Sequence, residues 1–188
     1  MPRDIPVGNG EMLVTFDHQY RLRDIYWPRV GMPNHTSGHV QRFGVWVDGA
    51  FDWIESPSWT HHLLYKPDTM VTEARLRNER LGIELLCHDA VDYYSPVYLR
   101  RVVVTNLLDR PREARVFFHH DISVGGSPVG DTVNYDPVTL GLVHYKDGTY
   151  FLINACNERK FGVDQWATGA KRIGDAEGGR EVRIAQLQ

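Results

Sequence analysis

The sequence predicts an all-β, antiparallel fold, most simply a sandwich of two large sheets. Three observations predict it. Apolar and polar residues alternate with a period of two along much of the chain, two Asp-Gly pairs lie between aromatic-rich runs, and no amphipathic helical stretch of convincing length occurs.

The elements follow in order. Met12, Val14 and Phe16 form a first apolar face. A strand ending in Tyr26-Trp27 then enters residues 28–40, a long irregular stretch holding Pro28, Gly31, Pro33 and Gly38. Ordered loops of that length in compact domains are often functional. Phe43-Gly-Val-Trp-Val-Asp48-Gly49-Ala-Phe-Asp-Trp53 reads as a hairpin, because Asp-Gly suits the left-handed backbone of a two-residue turn. Trp46, on its first strand, is expected in the core. Met70, Thr72, Ala74 and Leu76 share one face, with Glu73, Arg75 and Arg77 on the other. Leu81, Ile83, Leu85 and Cys87 repeat the pattern, and Glu84 points away. Residues 97–106 are β-branched and aromatic, as expected of a central strand. Ala114, Val116 and Phe118 make a later face. Residues 142–153 carry Asp147-Gly148 and form a second hairpin. The sandwich is expected over residues 1–166. From about Ala167 the chain becomes Gly-rich, and residues 167–188 read as a linker or a cut edge.

The 188 residues are 42% apolar and 24% charged, the balance of a globular chain and not of a disordered one. No apolar run approaches the ~20 residues of a membrane helix, and the N-terminus lacks the apolar core of a secretory signal. The expected location is the cytoplasm, with no membrane partner. Net charge is −3, and the basic residues are scattered among acids, so no nucleic-acid partner is expected. Cys87 and Cys156 lie far apart and are expected to be reduced.

Nine histidines invite a metal reading. The pairs His61-His62 and His119-His120 are neighbours on expected strands and so face opposite sides, and there is no His-Glu-x-x-His or Cys/His cluster. No metal and no cofactor are expected. Gly8-Asn-Gly10 and Gly125-Gly126 are turns, since neither precedes a helix that could hold a phosphate. A Gly-x-Ser-x-Gly elbow is absent from the sequence. Asp121 and Asp131, read as following strands around a Gly-rich loop, are the most suggestive carboxylate pair for glycoside chemistry, against the plainer reading of turn and cap carboxylates. Trp27 stands at the lip of the irregular loop beside Asn34 and His35, whose polar groups suit sugar hydroxyls. The candidate sugar-cleft or domain-interface loop is therefore Tyr26, Trp27, Asn34 and His35.

Val7-Gly-Asn-Gly10, Leu13-Val14, Arg23-Asp-Ile-Tyr-Trp-Pro-Arg-Val-Gly31 and Asn34-His35 together resemble a known family. The likeness continues through Asp92-Tyr-Tyr-Ser-Pro-Val-Tyr-Leu-Arg-Arg101, Asn106, Phe117-Phe-His-His-Asp121, Asp131-Thr-Val-Asn-Tyr-Asp136 and Gln165-Trp-Ala-Thr-Gly169. The chain is similar to the N-terminal domain of bacterial and archaeal glucoamylases and glucodextranases of glycoside hydrolase family 15. The resemblance implies a galactose-mutarotase-like β-supersandwich that precedes an (α/α)6 barrel. In that family the barrel carries two glutamates that hydrolyse α-glucosidic bonds with inversion. Nothing here matches the barrel, so no residue of this chain inherits a catalytic role. The partners implied are the (α/α)6 catalytic domain, in cis or as a separate chain, and the α-glucan substrate of the parent enzyme. After Gly178 the chain departs from the family pattern, which suggests a truncated or split gene.

Two other expectations stand beside this one. A stand-alone carbohydrate-binding module would use exposed tryptophans. A mutarotase-like sugar epimerase would need a histidine and a carboxylate converging on a concave face. His119, His144 and Asp131 are its candidates, and with Asp121 they form a weaker alternative site.

Overall fold

A computed structural model describes residues 4–39, 41–127, 129–158 and 160–169. Among the described residues the structure is all-β and antiparallel, with one 3-10 turn at Val124–Gly126. It divides into two compact units, Met1–Gly126 and Ser127–Gln188. Most of the expected 167–188 segment, from residue 170, lies outside the described residues.

The first unit contains β1 (Asp4–Gly8), β2 (Leu13–Asp17), β3 (Leu22–Tyr26), β4 (Arg42–Val47), β5 (Ala50–Trp53), β6 (Thr60–Tyr65), β7 (Thr72–Asn78), β8 (Ile83–Val91), β9 (Tyr98–Asn106) and β10 (Ala114–His119). They form three sheets, ordered β1-β2-β3, β10-β4-β5 and β6-β7-β8-β9. Local chemistry sets the turns. Asn9 Oδ1 accepts the amides of Glu11 and Met12, both at 3.0 Å, and closes the β1–β2 connection. Asp48 (φ 48°) and Gly49 (φ 90°) give the β4–β5 hairpin its two left-handed residues. Gly44 lets the Phe51 ring lie against β4, because a Cβ there would come within 2.5 Å of the ring.

Alternation buries one face of the long hairpin. Thr72, Ala74, Leu76 and Asn78 of β7 point inward with Ile83, Leu85, Cys87 and Asp89 of β8. Ile5, Phe16 and Tyr20 meet Leu63, Thr72 and Ala74 across the layer, which makes the arrangement a sandwich. Each large apolar side chain removed from water there contributes about 1.5–3 kcal/mol before entropy is counted. Burial also pushes the Cys87 thiol up to about 12.

The second unit holds β11 (Thr132–Asp136), β12 (Gly141–Lys146) and β13 (Thr149–Ile153), in that order in one sheet. Asp147 (φ 47°) and Gly148 (φ 79°) form its hairpin turn. Trp166 stacks on Tyr135 with ring centroids 5.1 Å apart. Among the described residues, no helix is long and apolar enough to cross a membrane.

Five sequence expectations are corrected. Among the described residues β9 pairs only with β8, so residues 98–106 stand at the edge of their sheet and not at its centre. Met70 is 60% exposed, since the chain is still turning before β7 begins. Trp46 is only half-buried, because Val45 and Val47 take the inward positions; Arg115 lies over its indole at 4.9 Å. The buried indole is Trp59. Phe118 is 44% exposed, with one ring face stacked on Phe43 at 4.8 Å. Asp131 precedes β11 and so does not follow a strand.

Candidate functional site

The loop between β3 and β4 is built from the Asp24 carboxylate outward. Asp24 accepts the Thr15 hydroxyl at 2.6 Å and the Asn34 amide Nδ2 at 2.6 Å. Asn34 Oδ1 in turn accepts the backbone amides of Ile25 and Thr36, both at 3.1 Å, and Asn34 bridges Tyr26. The Thr36 hydroxyl donates to the Arg23 carbonyl at 2.7 Å. The start of a nominally irregular loop is thus folded back onto β3. Its backbone turns through a cis Trp27–Pro28 peptide bond.

His35 is 4% exposed and holds the next layer. Its Nδ1 accepts the Gly125 amide at 3.1 Å, which leaves the proton on Nε2 to be donated to the Trp27 carbonyl at 2.9 Å. Its own backbone amide donates to Ile25 at 2.8 Å, and its carbonyl accepts from Ser123 at 2.6 Å. Gln41 closes the far end: it donates to the Asp121 carbonyl at 2.6 Å and accepts the Asp121 amide at 3.0 Å. Residues 121–125 and the loop are therefore one stitched structure.

Of the four loop residues singled out from the sequence, Asn34 and His35 serve to hold the loop. Trp27 and Tyr26 are half-buried, and the indole lies 6.5 Å from the His35 ring. The sequence reading passed over His39. Its Nδ1 lies 3.0 Å from Asp121 Oδ2, with the two side chains 31% and 29% exposed. A carboxylate that orients one imidazole nitrogen directs the other outward, and that geometry suits hydrogen bonding or proton transfer to a ligand hydroxyl. Thr36-Ser-Gly-His39 beside Asn34 was the sequence signal for it. The chemical capacity of this region is an indole face, a carboxylate-oriented imidazole and the exposed apolar side chains of Val30 and Met32.

The weaker set is distributed over both units. His119 ends β10 and Asp121 follows it in the first unit, whereas Asp131 and His144 belong to the second. His144 is 7% exposed on β12, and Asp131 lies 4.0 Å from Lys146 Nζ. His61 faces inward and donates its Nε2 proton to the Ile54 carbonyl at 2.6 Å, while His62 is exposed on the other face. Among the described residues, no three His, Cys, Asp or Glu side chains gather closely enough to hold a metal ion.

A second polar cluster was invisible in the sequence. Asp89, at 0% exposure, accepts the hydroxyls of Tyr20 (2.5 Å), Thr72 (2.8 Å) and Tyr98, and Arg100 Nε at 2.8 Å. The Arg100 guanidinium lies over the rings of Phe16, Tyr20, Phe43 and Tyr98 at 4.7–5.7 Å. Burial alone would raise the Asp89 carboxyl, but Arg100 and the two tyrosines outweigh it and hold the group below the usual carboxylate range. With every oxygen engaged and no exposure, this cluster locks strands together and offers nothing to a ligand.

No known protein-family profile matches the chain. It is 25% identical over 163 residues to a protein of Methanocaldococcus jannaschii described as an uncharacterized glycosyl hydrolase. The similarity spans 87% of this chain and 25% of that protein, so the chain corresponds to about a quarter of the relative's length. No solved structure is similar to it.

Proposed function

We propose that the chain is the non-catalytic N-terminal β-sandwich of a glucoamylase-like glycoside hydrolase of family 15, acting with an (α/α)6 barrel on α-glucosidic bonds. The observation that carries this reading is the similarity over 163 residues to one quarter of a glycosyl hydrolase. The antiparallel sandwich supports it and accords with a galactose-mutarotase-like supersandwich.

In this reading the loop after β3 forms one wall of the sugar cleft. The hydrogen bonds from Asp24, Asn34 and His35 order its backbone before any ligand arrives, so little entropy is lost on binding. Trp27 then supplies a face for the C–H surface of a pyranose ring, and His39, oriented by Asp121, bonds a hydroxyl. The chain shapes and positions; bond cleavage belongs to the barrel's carboxylates.

The test uses a full-length relative. Alanine at the positions of Trp27 and His39 is expected to lower kcat/KM on maltooligosaccharides by about tenfold, equivalent to ~1.4 kcal/mol, with an unchanged melting curve. Unchanged kinetics in both variants would remove the cleft role. Calorimetry of the 188-residue chain with maltose and longer α-glucans separates this reading from a stand-alone binding module. Strong heat from the isolated chain would favour the module.

A further inference from the structure

The Asn9 side chain ties together two turns that lie 83 residues apart. Its Oδ1 accepts the Glu11 and Met12 amides, both at 3.0 Å, within the β1–β2 connection. Its Nδ2 reaches the turn between β8 and β9 and donates to the carbonyls of Asp92 (2.8 Å) and Ser95 (3.1 Å). That second turn is closed by the Asp92 amide on the Val97 carbonyl at 2.9 Å and the Val97 amide on the Ser95 carbonyl at 2.7 Å. The Tyr94 amide donates to Asp92 Oδ1 at 3.0 Å. Tyr93 and Tyr94 stand out from it, 79% and 88% exposed.

The residue after Asn9 makes this clamp chemically fragile. Asn9 is followed by glycine, and no other asparagine of the sequence is. Gly10 is exposed, its φ is 92°, and open space surrounds its Cα. With no side chain in the way, the Gly10 nitrogen can attack Asn9 Cγ. A C–N bond forms, the side-chain nitrogen leaves as ammonia with the proton that the Gly10 nitrogen gives up, and a succinimide results. Water then opens the ring at either carbonyl to give aspartate or isoaspartate. Attack requires the side-chain amide to turn and its nitrogen to depart, and the bonds to Glu11, Met12, Asp92 and Ser95 oppose both.

We propose that Asn9–Gly10 is a deamidation site guarded by the fold, and that the Asn9 clamp is a latch which deamidation opens permanently. Closed, the latch slows the reaction that destroys it. Opened, it cannot close again, because a carboxylate only accepts hydrogen bonds. Aspartate at this position still accepts the Glu11 and Met12 amides, so the β1–β2 turn survives. Its other oxygen faces the carbonyl oxygens of Asp92 and Ser95, so the loss falls on the β8–β9 turn. Isoaspartate adds a backbone methylene between β1 and β2 as well.

The test follows deamidation of Asn9 in the full chain by peptide mass spectrometry, in mildly alkaline buffer with and without urea. The folded chain is expected to react at least about tenfold more slowly, since the reaction waits for local opening. Pro96→Gly loosens the β8–β9 turn without touching Asn9 or Gly10, and is expected to speed the native reaction by about threefold. Asn9→Asp stands for the product. Hydrogen exchange at the Asp92 and Val97 amides should rise by about tenfold and chymotrypsin should cut faster after Tyr94, while the β7 amides stay protected. Equal rates with and without urea, or a Pro96→Gly rate equal to the parent's, would overturn the guard. Unchanged exchange at the turn in Asn9→Asp, or loss of its whole circular-dichroism signal, would overturn the latch as a local device. The two deamidation rates read the guard independently of that variant.

Discussion

Asp89 meets Arg100 at 2.8 Å inside the first unit, and Asp121 meets His39 at 3.0 Å near its surface. The chemistry is similar: a carboxylate oriented against a nitrogen base. The surroundings differ. Arg100 is walled by the rings of Phe16, Tyr20, Phe43 and Tyr98 and Asp89 accepts three hydroxyls, so both partners are held in one geometry. The Asp121–His39 pair keeps about a third of each side chain in water. In a dry site the loss of one partner strands the other, whereas in a wet site solvent replaces it. The first cluster therefore specifies the fold, and the second is placed where a ligand can reach it.

The comparison can be broken at its strong end first. Asp89→Ala leaves Arg100 buried without its counter-charge and is expected to cost about 3–5 kcal/mol, read as a lower urea midpoint. A loss below about 1 kcal/mol would mean that water already enters the cluster.

Acid should act through the same group. The folded carboxyl of Asp89 is held below its ordinary value, so the unfolded chain takes up the proton first as pH falls. Its stabilisation is fully present above about pH 4 and is lost as pH drops through the lower folded value. Asp17 contributes in the same direction: burial would raise it, but Arg21 and nearby amides hold it low. Acid titration followed by circular dichroism should show a cooperative loss below about pH 4, shallower in Asp89→Asn. A transition centred near pH 6 would point to the histidines instead.

Asn34→Ala sits between the extremes. It removes the acceptor of the Ile25 and Thr36 amides and is expected to cost about 1–3 kcal/mol. Hydrogen exchange at those two amides should accelerate while β7 and β8 stay protected. At the weak end, Asp121→Asn should change stability by less than about 1 kcal/mol. The parent and this variant should have melting curves within a few degrees of each other, and a large shift would make the pair a structural one like Asp89–Arg100.

Legibility from the sequence followed the range of the interactions. Asp48-Gly49 and Asp147-Gly148 announced both hairpins because a two-residue turn is decided by its own residues. The alternation in β7 and β8 likewise declares its inward face locally. The loop after β3 was legible as a long ordered stretch, but the work of Asn34 and His35 was not. Their partners Asp24 and Gly125 are chosen by the fold. Asp89 was hidden for the same reason, since Tyr20 reaches it from 69 residues away. The misplacement of β9 has another origin. Side-chain composition reports that a strand is well suited to neighbours, and says nothing of how many it has.

The bond from Tyr20 to Asp89 also sets a schedule. A ribosome adds roughly 5–20 residues per second, so the 69 residues between them take about 3–14 s to make. Through that interval the Tyr20 hydroxyl exists without its carboxylate partner on β8. The Asn9 side chain likewise waits for the carbonyls of Asp92 and Ser95. Both bonds thus form only after β8 and the turn that follows it have been made, well after β1 and β2 themselves.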